Sequence, residues 1–80
     1  MKLTIANNTL TLTNQTGTKH SMNITYGSYV YDKSFGYIEL KDIRNTPLQL
    51  RIEQITELNG VVGQPTYAQL VTLLDAETQA

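Results

Sequence analysis

Residues 55–77 read ITELNGVVGQPTYAQLVTLLDAE, and this stretch decides the fold. Up to Gly60 it closes a series of short alternating segments; beyond Pro65 the apolar spacing changes from two to three and four. The tetrad TYAQ at 66–69 marks the change. Thr66 takes the N-cap place and Gln69, three residues on, reaches back, which is a capping box. Pro65 stands where a hydrophobic staple would meet Leu70. Tyr67, Leu70, Val71 and Leu74 then recur at helical spacing as one apolar stripe, widened by Leu73. A helix of about 10 residues is marginal in water alone. The stripe therefore predicts docking, onto the chain's own sheet or onto another subunit. NGVVGQPT, 59–66, reads as a connector inside one domain.

Everything before this stretch reads as strands. KLTI (2–5) sets Leu3 and Ile5 on one face and Lys2 and Thr4 on the other. ANN (6–8) turns the chain, and TLTLT (9–13) alternates again, leucines inward and threonines outward. Period two is the mark of a half-buried strand. NQTG (14–17) supplies a second turn, and HSMNIT (20–25) carries the pattern on through Met22 and Ile24. YVY (29–31) and YIEL (37–40) flank DKSFG, which reads as a hairpin loop. Pro47 interrupts the ladder, because proline has no amide to donate. In LQLRIEQI (48–55), Leu48, Leu50 and Ile52 share a face while Ile55 falls out of phase, so a bulge or strand end is expected near Glu53 and Gln54.

The expected fold is α+β and mainly β. It has about five to seven short antiparallel strands in a small sandwich or open barrel, packed by one C-terminal α-helix. Residues 1–80 form a single domain, near the lower size limit for a self-sufficient core. With no cysteine, disulfides and thiolate metal sites are excluded, and the one histidine, His20, makes no histidine-rich metal site. Oligomerisation is the common support left open.

Composition narrows the function classes. Six Lys and Arg residues, scattered from Lys2 to Arg51, and a net charge of −1 give no phosphate-tracking surface. No direct nucleic-acid partner and no membrane partner are expected. MKLTIANN turns polar too soon for a signal peptide, so the chain is expected to be made and kept in a cytoplasm. His20 and Ser21, adjacent on a strand, point to opposite faces and make no nucleophile pair. Glu39, Asp42, Glu53 and Glu57 show no spacing that asks for paired carboxylate chemistry, and the dispersed glycines form no phosphate loop. No catalytic, cofactor-binding or metal site is expected, and the chain reads as a non-enzyme.

One cluster stands out. Tyr26, Tyr29, Tyr31, Phe35 and Tyr37 fall within a dozen residues, and Tyr29, Tyr31 and Tyr37 share a face in one of the two hairpin registers. Cross-strand aromatic pairing in a small sheet accounts for such a set. A protein interface accounts for it too, since tyrosine is enriched at hot spots, and stacking of a sugar or base is the third reading. The five residues are the candidate protein interface.

In residues 55–74, Ile55, Leu58, Asn59 and Gly60, followed by Thr66, Leu70, Leu73 and Leu74, resemble a layout of small virion structural proteins of tailed and related phages, especially phages of Bacteroidetes. In that layout a strand-rich body leads through an I-x-x-(L/V)-N-G segment and a short connector into a (T/S)-x-x-x-L-x-x-L-L helix. The resemblance covers the last third of the chain. It implies a decoration, minor capsid, connector or fibre-associated subunit, repeated in the virion and contacting other virion proteins or copies of itself as a homo-oligomer. It carries over no catalytic residues. The alternative is a small phage-encoded or bacterial inhibitor that binds a host protein through the tyrosine cluster.

Overall fold

A computed structural model describes residues 1–25, 27–32 and 34–78. The chain opens with a meander. β1 (Lys2–Ala6) and β2 (Thr9–Thr13) pair antiparallel with Leu3 opposite Leu12 and Ile5 opposite Leu10. The two residues between them, Asn7 and Asn8, have φ of 53° and 58°. Asparagine tolerates this left-handed backbone, and it gives the turn the twist that a two-residue hairpin needs. β3 (Lys19–Asn23) follows a loop in which the Asn14 side-chain oxygen accepts the amides of Thr16 and Thr18 at 3.0 and 2.9 Å.

A second sheet comes next. β4 (Ser28–Asp32), β5 (Tyr37–Lys41) and β6 (Pro47–Arg51) pair antiparallel in sequence order. Pro47 begins an edge strand, where the missing amide costs no ladder bond. β6 ends at Arg51, and a 3₁₀ turn over Ile52–Gln54 follows. That turn resolves the phase change expected there: it brings Ile52 and Ile55, three apart, to the interior together.

The chain then returns to the first sheet. β7 (Glu57–Leu58) runs parallel to β1, with Leu3 opposite Leu58, and β8 (Val61–Val62) folds back on β7. The parallel pair departs from the all-antiparallel expectation, because the return crosses from the other sheet instead of through a hairpin. The connector assigned to 59–66 also contains a strand. Asn59 and Gly60, at φ 49° and 83°, form a two-residue hairpin turn between β7 and β8.

β7 is too short to pair with the whole of β1, and Asn59 supplies what is missing. Its amide hydrogen donates to the Leu3 carbonyl at 2.9 Å. Its side-chain oxygen accepts the Ile5 N–H at 2.8 Å, and its side-chain nitrogen donates to the Ile5 carbonyl at 3.1 Å. A carboxamide has the donor and acceptor of a peptide unit, so Asn59 extends the ladder by one rung.

α1 (Tyr67–Thr78) begins at the capping box read from the sequence. The Thr66 amide donates to Gln69 Oε1 at 2.8 Å, and the Gln69 amide donates to Thr66 Oγ1 at 3.2 Å. Such a cap contributes about 1 kcal/mol. Pro65, Leu70 and Leu74 are buried and Val71 and Leu73 are half-buried. The helix packs along β1.

Both sheets and the helix contribute to one core. Leu3, Ile5, Leu10 and Leu58 come from the five-stranded sheet, ordered β3-β2-β1-β7-β8, and Ile38, Leu40 and Leu50 from the three-stranded one. Ile24, Ile52 and Ile55 enter from connections, and Leu70 and Leu74 from α1, all at most 8 % exposed. The fold is thus α+β and mainly β, as the sequence indicates. Its two sheets are separately hydrogen-bonded, which is the sandwich alternative.

Candidate functional site

The register of the β4–β5 hairpin divides the aromatic cluster. Tyr31 lies opposite Ile38 and Tyr29 opposite Leu40, whereas Tyr37 lies opposite Asp32. Directly opposed residues share a face. Tyr29 and Tyr31 therefore accompany the buried Ile38 and Leu40, and Tyr37 lies on the other face with Val30 and Glu39. Tyr26 lies outside the described residues.

The inner pair meets the helix. Tyr31 stacks on Tyr67 at the start of α1, with ring centroids 3.6 Å apart and planes at 17°. The Tyr29 hydroxyl donates to the carboxylate of Asp75 in the last turns of α1. Acidic side chains are unfavourable at a helix C-terminus, where the helix dipole is negative. Here the two acids nearest that end are tethers. Asp75 takes the Tyr29 hydroxyl, and Glu77 accepts the Asn8 amide at 2.7 Å. The Asn8 side chain in turn donates to the Glu77 carbonyl at 3.1 Å. The helix is fixed to the second sheet at Tyr29 and Tyr31 and to the first at Asn8.

Burial, then the hydrogen bond to Asp75 and its negative charge, and finally the neighbouring Tyr67, push the Tyr29 phenol from 10.0 up to about 12. The raised value means that folding favours the protonated phenol. The stabilisation is complete below pH 10 and is lost as pH rises through about 12. A tyrosinate absorbance titration should include a step near pH 12 that is absent in Tyr29→Phe. Persistence of that step in the variant would show that Tyr29 does not carry it.

The outer face is different in kind. Phe35 is 66 % exposed and Val30 69 %. The Phe35 and Tyr37 rings lie 6.4 Å apart at 32°. Asp32, Lys41 and Arg51 lie at the ends of the strands around this surface, and Glu39 lies within it, opposite Val30. A shallow depression of about 290 Å³ crosses it, lined by Val30, Tyr31, Asp32, Tyr37 and Glu39.

The other candidates are dispersed. His20 is exposed on β3 opposite Leu12, with Ser21 on the opposite face beside Thr11. Glu39 accepts from Gln49 at 3.1 Å and stands 3.9 Å from Lys41. Asp42 accepts the amides of Arg44 and Thr46 in its own loop, at 2.9 and 2.8 Å. Among the described residues no helix is long and apolar enough to cross a membrane.

A second surface went unread in the sequence. Val61 and Val62 of β8 are 69 % and 83 % exposed. They border a cleft of about 430 Å³ against α1, whose apolar lining includes Leu58, Pro65 and Leu73. The available signal was the absence of any charge from Leu58 to Leu74.

No protein family matches the chain, and neither a curated protein nor a solved structure matches it.

Proposed function

We propose that this chain is a non-enzymatic structural subunit of a phage particle, acting through protein–protein contacts. The observation that supports a contact role best is the outer face of the three-stranded sheet, where Val30 and Tyr37, with Phe35 in the adjoining turn, present apolar and aromatic surface among charged side chains. Aromatic side chains are enriched in protein interfaces. The opposite face of the same sheet is committed to the core and to α1, so the strands hold Val30 and Tyr37 on a rigid support. A shallow depression on a sheet suits a broad macromolecular contact better than an enclosed small molecule. Assignment to a particle draws on the resemblance of residues 55–74 to small virion proteins.

Quantitative mass spectrometry of purified particles tests the reading. The chain is expected at a fixed, high copy number, reduced when Phe35 and Tyr37 are both changed to alanine. Absence from particles, with specific recovery of one host protein on the immobilised chain, would replace this reading with that of an inhibitor.

A further inference from the structure

We infer that β8 is the seam of a twofold homodimer, in which two copies pair antiparallel at Val62 and join their five-stranded sheets into one. The inference rests on the edge itself and holds whether or not the chain belongs to a particle.

The backbone supplies the first argument. In a two-residue hairpin, the residues flanking the turn exchange both hydrogen bonds and the next pair exchanges none. Leu58 and Val61 flank the Asn59-Gly60 turn, and beyond Val62 the Gly63 amide again donates inward, to the Thr56 carbonyl at 2.8 Å. The amide and carbonyl of Val62 therefore point away from β7, to an edge that no further strand covers among the described residues. One outward donor and one outward acceptor on the same residue are self-complementary. A twofold axis beside Val62 satisfies both in both copies.

Charge decides between a second copy and a different partner. Edges are normally guarded by charge or proline, and the other three here are. β3 carries Lys19 and His20, β6 carries Pro47 and Arg51, and β4 carries Asp32 and is braced by the helix through Tyr29 and Tyr31. β8 carries neither charge nor proline and is guarded only by its length of two residues, and the charge opposite Val62, Glu57, sits on β7, one strand in from the edge. A twofold axis brings nearby residues against their own copies, so a charge there would repel itself. A different partner is ordinarily selected by complementary charge, which this edge does not offer. The side chains agree. Val61 shares the face of Leu58, towards the helix, and pairing centred on Val62 sets Val61 against Gly63 of the second copy. Each Val61 then lies beside the cleft lined by Leu58, Pro65 and Leu73, and the two clefts meet across the seam.

Sedimentation equilibrium from micromolar to millimolar chain is the test. The wild type is expected to dimerise reversibly. Val62→Lys and Val62→Glu are each expected to weaken dimerisation at least about tenfold, which corresponds to ~1.4 kcal/mol. Mixed in equal amounts, the two variants are expected to recover it, because the axis then sets lysine against glutamate. Val62 is 83 % exposed, and its cross-strand neighbour Glu57 adds only a modest like-charge repulsion in Val62→Glu, so circular dichroism should show both variants folded. Val61→Lys probes the seam separately and should weaken the dimer too, whereas Val30→Lys on the other sheet should leave it unchanged. A wild type that stays monomeric to millimolar concentration overturns the inference. So does a dimer indifferent to Val62→Lys, or a charge-swapped mixture that stays monomeric.

Discussion

A chain ending at Gly63 is expected to be unfolded or aggregated at room temperature. The deletion removes Leu70 and Leu74, which are 0 % and 1 % exposed, together with buried Pro65 and half-buried Val71 and Leu73. Burying a leucine contributes about 1.5 to 3 kcal/mol, so the stripe contributes roughly 5 to 8 kcal/mol before entropy. Total net stability for a small domain is about 5 to 15 kcal/mol. The deletion also uncovers the inner faces of β1 and β4 and removes the partners of Asn8, Tyr29 and Tyr31. Circular dichroism with sedimentation reads the result. A truncated chain that stays folded and monomeric would show that the helix is a docking arm for a neighbour and not part of this core.

Asn59→Ala is expected to lower stability by at least about 3 kcal/mol, an unusually large effect for an exposed position. Two causes add. The Ile5 amide and carbonyl lose the side chain that pairs them, and each partly buried group left bare costs about 1 to 3 kcal/mol. Alanine must also adopt the φ of 49° found at Asn59, at a cost of about 1 to 2 kcal/mol. Glycine accepts that backbone freely but restores neither hydrogen bond. Asn59→Gly should therefore fall between wild type and Asn59→Ala, and the gap between the two variants measures the conformational part. Urea unfolding at constant m resolves the order. Equal midpoints for all three proteins would show that the extra rung stabilises nothing.

The parts of the fold that were legible are those written in local spacing. The alternation of TLTLT and the capping box of Thr66 and Gln69 each involve neighbours a few residues apart, and each is found as read. The strand end expected near Glu53 and Gln54 comes earlier, after Arg51, where the 3₁₀ turn over Ile52–Gln54 begins. The aromatic cluster was legible as a cluster but not as two surfaces. Six positions separate Tyr31 from Tyr37, which would share a face on one continuous strand, yet the hairpin pairs Asp32 with Tyr37 and reverses the parity. The β7–β8 hairpin was obscured by its shortness. Asn59-Gly60 is a strong turn signal, but two residues on each side leave no alternation to see. The roles of Asn8 and Asn59 left no local trace. Both asparagines read as turn formers and are, but each also binds a partner more than fifty residues away.

β1 meets its second neighbour late. Its pairing with β2 closes a two-residue turn and can form within microseconds. Its other side waits for residues 54 positions on at Asn59, and the turn that follows β1 waits for Glu77, 69 positions from Asn8. Bringing such distant segments together forfeits chain entropy before any contact repays it, and topologies of this kind cross their barrier on the order of milliseconds to seconds. The β1–β2–β3 meander is thus expected to exist for a time with the inner face of β1 and its far edge both bare. Changes at Asn59 or Glu77 should then chiefly accelerate unfolding, while changes in the Asn7-Asn8 turn should slow refolding.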